Sequence, residues 1–145
     1  MNKNINLIIG SGVLGAYLAS ELLKRREEVI VTTRSIKKKI KNYHYLKIQK
    51  KVKFVKLDVN KKIKIKKIIK EFNPDKIFYF AGQSSLTKSL KDKKGTFLSH
   101  FDGTKNFLDI MKEENLKIKF FKANSGYIFS PNNGLIDINC KFSSN

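Results

Sequence analysis

Gly10, Ser11, Gly12, Val13, Leu14 and Gly15 stand in the spacing G-x-G-x-x-G, directly after an apolar run from Ile5 to Ile9. At a strand-to-helix junction this spacing has a mechanism. The glycines permit a tight turn and let a pyrophosphate reach the backbone N–H groups that open a helix. A tight turn without a ligand satisfies the same spacing, and the dinucleotide site is the favoured reading. An NAD site places an acid roughly 20 residues further on, at the end of the second strand, to hold the ribose hydroxyls. Here that region reads Val31, Thr32, Thr33, Arg34 and Ser35. Arg34 can pair with a 2′-phosphate, which puts NADP ahead of NAD as the expected cofactor; an Arg34 that is merely exposed is the alternative. Asp58, after the third strand, can accept from an adenine amino group or simply cap a turn. Ala81, Gly82 and Gln83 follow the fourth strand at the edge where open α/β sheets bind ligands, and small residues there allow close cofactor approach. Ser125 and Tyr127 follow the fifth strand at the same edge. A hydroxyl beside a nicotinamide can hydrogen-bond a substrate oxygen during hydride transfer, although a loop Ser is also an ordinary turn residue.

These residues need strands and helices in alternation to bring them together. Ile5 to Ile9 reads as a first strand, and Leu14, Leu18 and Leu22 at spacing four read as a helix behind the glycine turn. Glu28 to Thr33 is a second strand rich in β-branched residues. The lysine-dense connection from Lys37 to Lys51 has no pattern that decides its structure. Val52 to Leu57 alternates apolar and basic residues as a third strand, and Ile65, Ile68, Ile69 and Phe72 mark one face of a helix that Pro74 ends at Asn73. Lys76 to Phe80 is a short aromatic fourth strand. Phe97, Phe101, Thr104, Leu108 and Met111 keep the spacing of a buried helical stripe, and Ile118 to Ala123 forms a fifth strand. The fold class is therefore α/β, a Rossmann-like doubly wound parallel sheet in the order 3-2-1-4-5. Pro131 to Gly134 reads as a turn.

A chain of 145 residues suits one domain, expected over 1–145 as an incomplete NAD(P)-binding Rossmann domain. No apolar stretch approaches the roughly 18 residues that cross a bilayer, so no membrane partner is expected. The single cysteine, Cys140, makes neither a thiol pair nor a metal cluster, which fits a cytoplasmic protein without a metal site. Lys and Arg number 31 against 12 acidic residues, for a net charge of +19. Lysine supplies nearly all of it, whereas base readout and phosphate forks favour Arg, so no specific nucleic-acid partner is expected. The positive field favours anionic ligands such as a dinucleotide or a nucleotide sugar.

In order along the chain, IIGSGVLGAYLASELL, VIVTTRS, KFVKLDV, IIKEFNPDKIFYFAGQSS, GTKNFLDIM and FFKANSGYIFS resemble the N-terminal portion of extended short-chain dehydrogenases/reductases. This is the family of NAD-dependent epimerases and dehydratases, and the chain looks closest to its GDP-mannose 4,6-dehydratase group. The resemblance implies that Gly12 and Gly15 line the pyrophosphate turn and that Arg34 neighbours the adenosine phosphate. It implies that Asp58 and Val59 run along the adenine, and Ala81, Gly82 and Gln83 under the cofactor. Ser125 matches the family's catalytic Ser/Thr. Such enzymes oxidise a hydroxyl of a nucleotide sugar with tightly held NAD(P), then eliminate water or re-reduce the keto intermediate. The complete enzyme would take a nucleotide-sugar substrate and could form a homo-oligomer.

Three features depart from the family pattern. Ile9 occupies the first glycine position of T-G-x-x-G-x-x-G, and Gly10 comes one residue later. Tyr127 stands where dehydratases carry the glutamate of water elimination, which weakens dehydration more than epimerisation or reduction. The Tyr-x-x-x-Lys pair, whose lysine lowers the tyrosine pKa, would fall past Asn145; its one match here, Tyr43 with Lys47, lies between strands two and three, the wrong place. The expectation is thus a fragment that binds NAD(P) without turning over substrate and is marginally stable alone, the missing last strands and substrate domain leaving an edge and apolar faces uncovered. The alternative is a non-catalytic dinucleotide-binding module.

Overall fold

The computed structural model describes residues 4–36, 40–125, 128–131 and 134–142. Five parallel strands form one sheet in the order β3-β2-β1-β4-β5, as the alternation of elements predicts. The strands are β1 (Ile5–Ile9), β2 (Glu28–Thr33), β3 (Lys53–Lys56), β4 (Lys76–Tyr79) and β5 (Lys119–Lys122). Between them run α1 (Val13–Lys24), α2 (Lys41–Tyr45), α3 (Lys62–Phe72), α4 (Leu86–Lys91) and α5 (Lys93–Phe97), then a π-helical turn (Leu98–Asp102) and α6 (Gly103–Glu113).

Because β1 is central, helices cover both of its faces, and nearly every residue in it is apolar. Leu7 and Ile9 point to one side, into a core shared with Ile65, Ile68 and Ile69 of α3 and with Phe107 and Ile110 of α6. Ile8 points to the other, into a core built with Ala16, Ala19 and Leu22 of α1 and with Tyr43 of α2. The exception in β1 is Asn6, fully buried, whose amide nitrogen donates to the Glu27 carboxylate at 2.9 Å and the Glu28 carbonyl at 3.2 Å. This bond, before the contribution of Lys76 at 3.2 Å, holds the Glu27 carboxyl below the usual carboxylate range. It ties β1, β2 and β4 together at the sheet's N-terminal edge, opposite the edge where loops carry ligands.

Helix α3 ends as its sequence requires: Asn73 takes the left-handed conformation (φ 41°), its N–H bonds Ile69 O at 2.8 Å, and Pro74 follows. Two helical stripes differ from expectation. In α1 the buried face is Gly15, Ala16, Ala19 and Leu22, with Leu18 half-buried against the same core, while Leu14 is exposed, so at the start of the helix small residues and not a leucine meet the sheet. A close strand-to-helix approach selects for small side chains, and a leucine would hold the helix off. After β4, Phe97, Phe101 and Leu108 are exposed and the buried positions are Gly103, Phe107 and Ile110, one residue out of phase with the expected stripe. Both stripes have helical spacing; a Tyr79 ring against Phe107 (centroids 5.7 Å, near perpendicular) settles which one meets the sheet.

The phase of α6 can be tested on two adjacent residues. Phe107→Ala should lower unfolding free energy by about 3–5 kcal/mol, and Leu108→Ala by less than about 1 kcal/mol. Chemical denaturation of the two variants checks this; a larger loss for Leu108→Ala than for Phe107→Ala would mean that the helix sits one residue round from its described position.

Candidate functional site

At the C-terminal edge of the sheet the loops after β1, β2, β3 and β4 surround a cleft of about 960 Å³. Its floor is the glycine turn. Gly10 has φ +109°, a conformation that favours glycine, and a Cβ there would come within 3.0 Å of Ala81 N and 3.1 Å of Phe80 C. The β1 and β4 loops therefore touch backbone to backbone. A Cβ on Gly15 would collide with the Gly10 carbonyl oxygen, so only glycine lets α1 start this close to β1. Gly12 is different: a Cβ on it would meet no protein atom within 4 Å and would project into the open cleft.

The start of α1 is arranged for an anion. Gly12 is its N-cap, no side chain caps it, and no acidic residue lies in its first turn. Its leading N–H groups and the positive end of its dipole thus meet no carboxylate from the helix's own first turn. Ser11, 5% exposed, keeps a buried Oγ with no protein partner in the same lining. An orphaned hydroxyl and the N–H groups of an uncapped helix start are donors that a pyrophosphate could accept from, and the empty space above Gly12 leaves room for it.

The structure brings the sequence-derived cofactor positions together: Gly10, Gly12, Val13, Leu14, Gly15, Arg34, Asp58, Val59, Ala81, Gly82 and Gln83 all line this one cleft. Arg34 is exposed at the end of β2. Asp58 serves as a turn residue as well, its Oδ1 accepting from Asn60 N at 3.0 Å. Val59 is held by Asn106, whose amide donates to its carbonyl at 3.0 Å. Lining residues that the sequence reading missed come from helices: Lys41 and Asn42 of α2, Lys88 of α4, Thr96 of α5 and Ser99 of the π turn. A polar residue on a short helix gives no local signal of which way the helix faces.

Ser125 is exposed in the loop after β5, its carbonyl accepting from Ile128 N at 3.3 Å, and it is not among the residues lining the cleft. Tyr127 lies outside the described residues, as do Asn132 and Asn133 of the expected turn. Tyr43, the tyrosine of the Tyr-x-x-x-Lys match, is fully buried under α1, and burial pushes its phenol well above the ordinary range. It cannot supply a phenolate near neutral pH, so that match is a packing feature. Among the described residues no group of three His, Cys, Asp or Glu side chains is placed to hold a metal ion, and no helix is long and apolar enough to cross a membrane.

Comparison with known proteins gives the chain its relatives. The family model described as GDP-mannose 4,6 dehydratase matches residues 7–131. A UDP-glucose 4-epimerase of Mycoplasma genitalium is 27% identical over 127 residues, covering 86% of this chain and 36% of the relative. A CDP-paratose 2-epimerase of Salmonella typhi is 30% identical over 121 residues, covering 83% and 36%. The crystal structure of UDP-glucose 4-epimerase from Bifidobacterium longum, in complex with NAD+ and UDP, superposes with a TM-score of 0.82 at 21% identity, covering 97% of this chain and 43% of that one. The chain thus spans little more than a third of the length of these curated relatives. With the family match running through the glycine turn, all five strands and the loop beyond β5, the chain belongs to the extended short-chain dehydrogenase/reductase family of nucleotide-sugar epimerases and dehydratases.

Proposed function

We propose that this chain is the NAD(P)-binding part of an enzyme that transiently oxidises a hydroxyl of a nucleotide sugar. The observation that carries the reading is the uncapped start of α1, with the unpartnered Ser11 Oγ beneath it and open space above Gly12. Support for the sugar-nucleotide side comes from the relatives, two of them named as epimerases of UDP-glucose or CDP-paratose. The dinucleotide, when bound, accepts and returns a hydride. The chain's own residues bind and orient: Ser11 and the first amides of α1 would hold the pyrophosphate, Asp58 and Val59 would flank the adenine, and Ala81, Gly82 and Gln83 would run beneath the nicotinamide half. Ser125 and Tyr127 remain the proposed hydroxyl groups on the substrate side. The family model that matches is that of a dehydratase, whereas the curated relatives are epimerases, and Tyr127 in place of the eliminating glutamate favours epimerisation or reduction over dehydration.

For the cofactor, Arg34 and Lys41 both line the cleft beyond β2, where no carboxylate follows the strand. Two cations favour a 2′-phosphate, and hence NADP; the Bifidobacterium longum epimerase, by contrast, was crystallised with NAD+.

Gly12→Asp separates binding from folding. An aspartate N-cap is compatible with the extended backbone at Gly12 (φ −72°, ψ −169°) and suits the helix dipole, so stability should hold or rise by up to about 1 kcal/mol. The same carboxylate would occupy the anion's space, and dinucleotide affinity should fall at least about tenfold, or 1.4 kcal/mol. Fluorescence titration with NADH and NADPH beside a denaturation curve checks both signs; unchanged affinity would remove the pyrophosphate from this turn. Arg34→Ala should weaken NADPH about tenfold and leave NADH within about twofold. An equal effect on both ligands would assign Arg34 no part in reading the 2′-position.

A further inference from the structure

The loop from Phe80 to Gln83 is pinned on two sides. On one side lies the Gly10 turn, in backbone contact with Ala81. On the other lies a side chain from a distant element: a Cβ on Gly82 would clash with the imidazole ring of His100, most closely at its Cε1, and the ring's Nε2 is 3.2 Å from the Gln83 carbonyl oxygen. A carbonyl only accepts, so Nε2 carries the hydrogen in this contact. We infer that His100 is a positioning residue, which clamps Gly82 and Gln83 in the course that floors the cleft.

What holds His100 there is the π-helical turn it belongs to. The Gly103 N–H bonds back five residues to Leu98 O, which widens the helix by one residue and disturbs its regular ladder of hydrogen bonds. Side chains meet the carbonyls of the turn: the Tyr79 hydroxyl donates to Ser99 O at 2.5 Å, and Thr104 Oγ1 donates to His100 O at 2.7 Å. Tyr79 reaches Ser99 from the end of β4 because residue 103 is glycine; a Cβ there would overlap the phenol oxygen. Burial pushes the Tyr79 phenol up to about 12, so it remains a donor at neutral pH. The residue that ends β4 thus fixes the turn whose histidine returns to fix the loop after β4. The extra helical residue is the device that aims the imidazole at that loop. Ser99, held by Tyr79, lines the cleft as well, so turn and loop present their surfaces to one space.

The inference rests on the cleft being a dinucleotide site only for its effect on affinity; the clamp itself is measurable in the ligand-free chain. Three variants test it. His100→Phe keeps a ring over Gly82 and removes the donor, His100→Gln puts an amide donor at similar reach, and Tyr79→Phe releases the turn from β4. Amide hydrogen exchange should quicken about tenfold at Gln83, Ser84 and Ser85 in His100→Phe and Tyr79→Phe, with β1 and β4 unchanged, and should return to within about twofold of wild type in His100→Gln. NAD(P)H affinity should fall about fivefold in the first two and recover in the third, and the double Tyr79→Phe/His100→Phe variant should be no worse than either single, because both act through one contact. Loop exchange that His100→Phe leaves at the wild-type rate, or that His100→Gln disturbs as much as Phe, would overturn the clamp. A wild-type chain that binds neither NADH nor NADPH would sink the reading of the cleft, and the exchange comparison would still decide the clamp.

Discussion

The site depends on one close approach of backbones. The Gly10 carbonyl lies where a Cβ of residue 15 would go, and the Gly10 Cα faces the Ala81 amide at a separation that leaves no room for a side chain. Helix α1 can therefore begin directly on the end of β1, and the β4 loop can cross the same turn. Side chains at either glycine would push helix and loop outward, and the N-terminal amides of α1 would no longer face the cleft. The small residues that follow, Ala16 and Ala19, continue the approach along the helix. Leu14 is released to the cleft by the same geometry that excludes it from the core.

Parallel order and strand positions were legible because central parallel strands must be apolar on both faces, and Ile5–Ile9 and Glu28–Thr33 are continuous runs bounded by turn residues. The edge that carries the cleft was legible for a related reason: the glycines, Arg34, Asp58 and the Ala81 loop all follow strands directly, and strand order alone brings strand ends together. The helical stripe after β4 was not. Its apolar residues satisfy two stripes one residue apart, and the choice between them is made by Tyr79 packing on Phe107 and by the overlap of Tyr79 with position 103. Neither contact has a local sequence signal. The π turn is nearly as silent: its contact with β4 is the tertiary bond from Tyr79 to Ser99 O, and the residues that accompany it, Gly103 and the Thr104 that bonds His100 O, are also ordinary helix residues. Lys41, Asn42, Lys88 and Thr96 escaped for the same reason: where a short helix points depends on how it packs.

The charge of the cleft follows from which of its ionic groups are already engaged. Two carboxylates and three cations stand in the lining: Asp58 and Asp92 against Arg34, Lys41 and Lys88. Asp58 accepts from Asn60 N at 3.0 Å, and Asp92 caps α5 by accepting from Gly95 N at 2.9 Å. Both acids are thus partly satisfied by backbone donors of their own loops, which lowers what they offer an incoming cation or repel in an incoming anion. The overall charge of +19 gives the surroundings the same sign. Lysine on a solvated surface attracts any polyanion weakly and without selection. On the proposed reading, selection would come from the part of the cleft where charge is replaced by geometry, the buried and unpartnered Ser11 hydroxyl and the helix amides behind Gly12, which together offer several donors to one group of phosphate oxygens. In the proposed function the lysine excess would draw an anion toward this edge of the sheet, and the glycine turn would decide which anion stays.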